Sequence, residues 1–125
     1  MANEKYYLFI GRWSPFHSGH KYIIDSFVDN GKLVCIAVRA SKEKYPVHIR
    51  KKMIERCYAK EIEEKRVTVI VIPDIEGVCV GRKVGYSIIE VPEKIKKISG
   101  TKIRQGKSDA LPEGTKEVIK EYEEL

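Results

Sequence analysis

Gly11-Arg12-Trp13-Ser14-Pro15-Phe16-His17-Ser18-Gly19-His20, GRWSPFHSGH, follows the apolar run KYYLFI (Lys5–Ile10) and runs into the stretch SGHKYIIDSFVDNG. The first is short, aromatic and β-branched and stops at glycine, which reads as a buried strand. In the second, Ile23/Phe27 and Ile24/Val28 repeat at i, i+4 and Gly31 supplies a stop, which reads as an amphipathic helix. The decapeptide therefore runs from the end of the strand into the first turn of the helix, as a strand-to-helix turn. In an open parallel sheet, such a turn lies at the carboxyl end of a strand, where ligands bind when the winding reverses.

The rest of the chain repeats the alternation. KLVCIAVRA (Lys32–Ala40) is a second strand. From Val47 onward Met53, Ile54, Cys57, Tyr58 and Ile62 form the apolar stripe of a second helix. RVTVIVIP (Arg66–Pro73) is a third strand and YSIIEV (Tyr86–Val91) a fourth. ISGTKIRQG (Ile98–Gly106) suits a loop entering a short helix, and PEGTKEVIKEYEEL a last, charged helix. Strands alternating with helices imply right-handed crossovers and a small, mostly parallel sheet of four or five strands in one α/β domain spanning residues 1–125.

Bulk properties narrow the function. With 125 residues, 42% hydrophobic and 34% charged, the chain suits one globular domain. The net charge of +6 favours anionic partners. Lysines are interleaved with glutamates and no nucleic-acid motif is present, so a nucleic-acid partner is not expected. Cys35, Cys57 and Cys79 form no C-x-x-C pair, which argues against a disulfide framework or zinc knuckle. The N-terminal apolar run is too short for a signal peptide, and no run is long enough to span a bilayer. A cytoplasmic protein with no membrane partner is expected.

The turn itself is suited to phosphate. Gly11 admits close backbone approach, Pro15 stiffens the loop, and the helix starting near Ser18 is expected to present free backbone N–H groups and its positive dipole end. His17 and His20, three apart on the first helical turn with Gly19 between, can point the same way and donate hydrogen bonds to a phosphoryl group as charge builds on it. Neither G-x-G-x-x-G nor a Walker loop is present. A metal site would need three or four protein ligands; the only other histidine is His48, and no cysteine lies near the pair.

Two segments together resemble a known family. GRWSPFHSGH resembles the first motif of the H-x-G-H nucleotidyltransferases, and ISGTKIR (Ile98–Arg104) resembles their second, I-S-x-T-x-I-R, in the family's order and separation. The resemblance implies a Rossmann-like three-layer sandwich. It also implies transfer of a nucleoside monophosphate from a nucleoside triphosphate, accompanied by Mg²⁺, to a small phosphorylated acceptor with release of pyrophosphate. His17 and His20 would stabilise the transition state, Ser99 and Thr101 would hold the triphosphate through backbone N–H and hydroxyl groups, and Arg104 would grip a β- or γ-phosphate. Gly11, Arg12, Trp13, Ser14, Pro15, Phe16, Gly19, Ile98, Ser99 and Gly100 would complete the nucleotide site. The G-R-W-x-P-F-H form is closest to adenylyltransferases of the nicotinamide-mononucleotide type, favouring AMP over CMP. Small family members are often oligomers, so a homo-oligomer is admitted.

Other residues read two ways. Trp13 is either core or a platform for a base. Arg39, Lys42 and Lys44 follow the second strand, either binding an anionic acceptor or lying in a solvated loop. Asp74 and Glu76 are candidates for contact with Mg²⁺ or a ribose. The alternative to an enzyme is a non-catalytic nucleotide-binding module, sensor or regulatory.

Overall fold

A computed structural model describes residues 5–81, 88–89, 100–106 and 109–125. β1 (Tyr6–Gly11), β2 (Leu33–Arg39) and β3 (Val67–Ile72) form a parallel sheet in the order β1-β2-β3. The register pairs Phe9 with Ile36 and Ile36 with Val69. α1 (Ser18–Val28) connects β1 to β2; α2 (Val47–Cys57) and α3 (Ala59–Glu63) connect β2 to β3. α4 (Gly100–Arg104) and α5 (Glu113–Glu123) follow.

Side chains alternate across a strand, so the register assigns each one to a face. Val34, Ile36 and Val38 of β2 and Val67 of β3 share a face and are almost wholly buried, together with Ile24 and Val28 of α1 and Met53 and Ile54 of α2. Phe9 and Val69 pack against the same cluster. Phe27 of α1 meets the rings of Tyr7 and Phe9 at centroid distances of 4.8 and 5.4 Å. The opposite face carries Leu8, which is 58% exposed, with Tyr6 and Ile70 also exposed. Two right-handed crossovers in the same direction deliver their helices to one side of a sheet, which accounts for this asymmetry.

α5 closes the core from beyond α2. Thr115 and Val118 are buried, and the Arg56 guanidinium of α2 bridges Glu117 and Glu121 of α5 at 3.2 and 2.9 Å. Gly114 makes the crossing close: a Cβ there would lie 2.9 Å from Cys57 Sγ and 3.0 Å from Cys57 N.

Three expectations need correction. The described residues form three strands, not four or five. Most of Tyr86–Val91 lies outside the described residues; Ile88 and Ile89 are described, belong to no strand, and are 74% and 56% exposed. Among the described residues the core helices lie on one sheet face, so two of the three expected layers are seen, and the three described strands run in sequence order with no reversal among them. The long second helix breaks at Tyr58 (φ −123°, ψ 27°) into α2 and α3. No helix among the described residues is long and apolar enough to cross a membrane.

Candidate functional site

The β1–α1 turn is built around aromatic side chains. Trp13 has φ +52°, a left-handed backbone conformation that a bulky residue rarely adopts and that surrounding contacts must hold. Its indole N–H donates to the Ala37 carbonyl of β2 at 2.9 Å, and its ring is buried. A Cβ on Gly11 would come within 2.9 Å of that ring, so the glycine makes room for the tryptophan. Ser14, Pro15 and Phe16 are also buried. Of the two readings of Trp13, the described side chain takes the core role, and Phe16 shares it.

His17 is the N-cap of α1. Its Nδ1 accepts from the backbone N–H groups of Gly19 and His20 at 3.2 and 3.3 Å, while the His20 Nδ1 accepts from the His17 N–H at 3.2 Å. The two rings form a reciprocal capping box, a task usually given to Ser or Thr paired with Glu or Gln. Because each Nδ1 accepts, each neutral ring carries its proton on Nε2. The rings stack with centroids 3.5 Å apart and planes 13° from parallel. Trp13 and Phe16 wall the His20 ring at 4.6 and 5.6 Å. Burial pushes His17 down to about 4, a hydrogen bond with its own backbone opposing. Burial, with His17 close by, pushes His20 down to about 2. At neutral pH both are uncharged N–H donors.

The helix tip differs from the expectation of free amides. The Ser18 N–H donates to the Ala110 carbonyl at 2.8 Å, and the histidine box takes the N–H groups of His17, Gly19 and His20. All four orphan donors of the first turn are satisfied. The imidazole Nε2–H groups remain as the donors at this tip, alongside the helix dipole.

The second motif meets the first. Arg104, at the end of α4, donates from Nη1 to the carbonyl of Ser14, 90 residues away in sequence. Ile98 and Ser99 lie outside the described residues. Gly100 and Thr101 are described as the backbone of α4 only. After α4 the chain returns to α1 through the Ala110–Ser18 bond.

The residues after β2 are less uniform than their sequence suggests. Arg39 is committed to Asp74 (2.8 Å) and to the Ile75 carbonyl (2.9 Å), which ties the ends of β2 and β3 and occupies Asp74 as well. Lys42 is exposed, and so is Lys44, whose ammonium lies over the Tyr45 ring at 5.5 Å. Arg12 is exposed and faces Glu43 at 3.6 Å. The Ser14 and Ser41 hydroxyls, one on each loop, are buried without a hydrogen-bond partner among the described residues.

Sequence reasoning missed Arg50. This α2 residue is fully buried, and its guanidinium donates to the carbonyls of Tyr45, Arg12, Arg39 and Ser41 at 2.6–2.9 Å. Burial lowers its pKa, the Glu43 charge opposing. The available signal was its position among the apolar residues Ile49, Met53 and Ile54, where a charge is unexpected.

No family model and no curated protein sequence matches this chain. The arrangement itself brings two neutral imidazole donors and the Arg104 guanidinium together at the turn that follows β1. These are donors for an anionic, oxygen-rich ligand. No group of three or more metal-ligating side chains lies among the described residues.

Proposed function

We propose that the chain is a nucleotidyltransferase that moves a nucleoside monophosphate, AMP in preference to CMP, from a nucleoside triphosphate to a small phosphorylated acceptor. The observation that carries this reading is the hydrogen bond from Arg104 to the Ser14 carbonyl, which brings the second motif onto the first. An acceptor phosphate oxygen attacks the α-phosphorus in line. One P–O bond forms, the bond to the bridging oxygen of the β-phosphate breaks, and pyrophosphate leaves with that electron pair. The nucleophile is already anionic, so no protein base is needed. His17 and His20, as neutral Nε2–H donors, stabilise charge on the α-phosphoryl oxygens, and Arg104 steadies the departing pyrophosphate. Mg²⁺ enters as part of the nucleotide substrate, held by its phosphate oxygens.

Thermal-shift measurements with Mg²⁺ and ATP, CTP or GTP, followed by pyrophosphate release over a panel of phosphorylated acceptors, test the proposal. The expected result is the largest shift with ATP and release with at least one acceptor. A shift without release under any acceptor would favour the non-catalytic nucleotide-binding module. No shift with any triphosphate would refute both.

A further inference from the structure

We propose that Arg50 is a positioning residue: its guanidinium sets the spacing between the loops that follow β1 and β2, and with it the geometry of the proposed triphosphate site. The kinetic consequence rests on the nucleotidyl-transfer reading; the structural one does not.

Arg50 Nε donates to Tyr45 O at 2.8 Å, Nη1 to Arg12 O at 2.6 Å and Arg39 O at 2.9 Å, and Nη2 to Ser41 O at 2.6 Å. Four of the five N–H donors of a planar fork are used on backbone carbonyls. Arg12 belongs to the turn that carries His17 and His20; Ser41 and Tyr45 belong to the loop entering α2; Arg39 ends β2. The Arg39 side chain carries the connection on to Asp74, past the end of β3. One side chain thus ties the turn after β1 to the end of β2 and the loop that follows it.

Stability alone does not explain an arginine here. The site lies beside a core of Ile49, Met53 and Ile54, and burying a cation there is costly where an apolar side chain would fill the volume. No carboxylate among the described residues bonds directly to the guanidinium; the carbonyl dipoles compensate its charge. What an arginine adds over a hydrocarbon is fixed directions to several acceptors at once. Lysine, with three donors on a single nitrogen, cannot reproduce a planar fork spread over four carbonyls.

The test compares Arg50→Lys with wild type and with Arg56→Lys, a half-buried position of the same helix that faces Glu117 and Glu121 outside the site. Trp13 is the only tryptophan and sits in the β1–α1 turn, so its fluorescence reports on that loop without any substrate. In folded R50K, with wild-type far-UV circular dichroism, the expected result is red-shifted Trp13 emission and increased acrylamide quenching. Its kcat should fall roughly 10- to 100-fold, with a smaller change in KM. R56K should match wild type in both readouts. Wild-type quenching and kcat in folded R50K would overturn the proposal. If wild type itself releases no pyrophosphate, the functional reading fails and Trp13 quenching alone decides the positioning role: increased supports it, unchanged overturns it. If R50K does not fold, ¹⁵N spectra of the wild-type Arg50 guanidinium decide. Slowly exchanging Nη protons with hindered rotation are expected, and fast exchange with free rotation would overturn the proposal.

Discussion

At the scale of single residues, His17 holds two roles that substitution can separate. Its Nδ1 caps α1, and its Nε2–H is the group left for a ligand. His17→Ala removes both and should cost about 1 kcal/mol of stability, the usual value for a lost N-cap acceptor. His17→Asn restores a cap acceptor without the Nε2 donor. Denaturant melts should therefore place H17N close to wild type and H17A below it, while both lose roughly 10²- to 10³-fold of pyrophosphate release. Equal activity of H17N and wild type would remove His17 from the chemistry. The same rings make stability depend on pH. An unfolded histidine binds its proton near 6.5, whereas His17 waits until about 4 and His20 until about 2. Between those values the unfolded chain holds more protons than the folded one, so stability rises with pH. The contribution is full above pH 6.5. Both rings lose it between pH 6.5 and 4, and His20 alone continues the loss toward 2. Thermal melts at pH 7.5, 6 and 5 should fall in that order, with a smaller slope in the H17N/H20N double variant.

At the scale of elements, sequence pattern gave reliable positions where a strong period met a strong stop. The three described strands lie within a residue or so of the runs read from the sequence, and Gly31, expected as the stop after α1, has φ +75°. The Tyr58 break was not legible, because the apolar stripe of Met53, Ile54, Cys57, Tyr58 and Ile62 continues through it unchanged. The α2–α5 crossing was not legible either. Nothing in PEGTKEVIKEYEEL marks Gly114 as a contact with Cys57, because the requirement comes from another element's backbone. Gly114→Ala should destabilise the fold by about 1–3 kcal/mol, since the added methyl meets backbone as well as sulfur. Urea titration of G114A measures this. A midpoint equal to wild type would mean that the two helices move apart without cost.

At the scale of the whole molecule, the candidate site joins segments that sequence proximity does not join. The order and spacing of the two motifs were visible in the sequence, and so were the titratable groups. The Arg50 strap, the commitment of Arg39 to Asp74 and the closure of the α1 amides by Ala110 and His17 were not, because each depends on backbone carbonyls or partners from a distant stretch. Arg104 is where this long-range geometry meets the proposed function. It reaches the Ser14 carbonyl inside the first motif, and it lies near enough to Tyr45 to oppose the rise that burial imposes on that phenol. Arg104→Gln keeps a hydrogen-bond donor toward the loop but removes the charge a triphosphate would meet. A ligand that binds only the folded state raises stability by about 2.7 kcal/mol at a hundredfold excess over Kd. In wild type, Mg²⁺–ATP should therefore raise the melting temperature in a concentration-dependent way. In R104Q the unliganded melt should stay close to wild type, while the same ATP series produces little or no rise. AMP, which lacks the β- and γ-phosphates, should discriminate between the two proteins far less. If R104Q shows the full ATP-dependent rise, the guanidinium serves the loop alone, and the two motifs meet for structure rather than for a shared triphosphate.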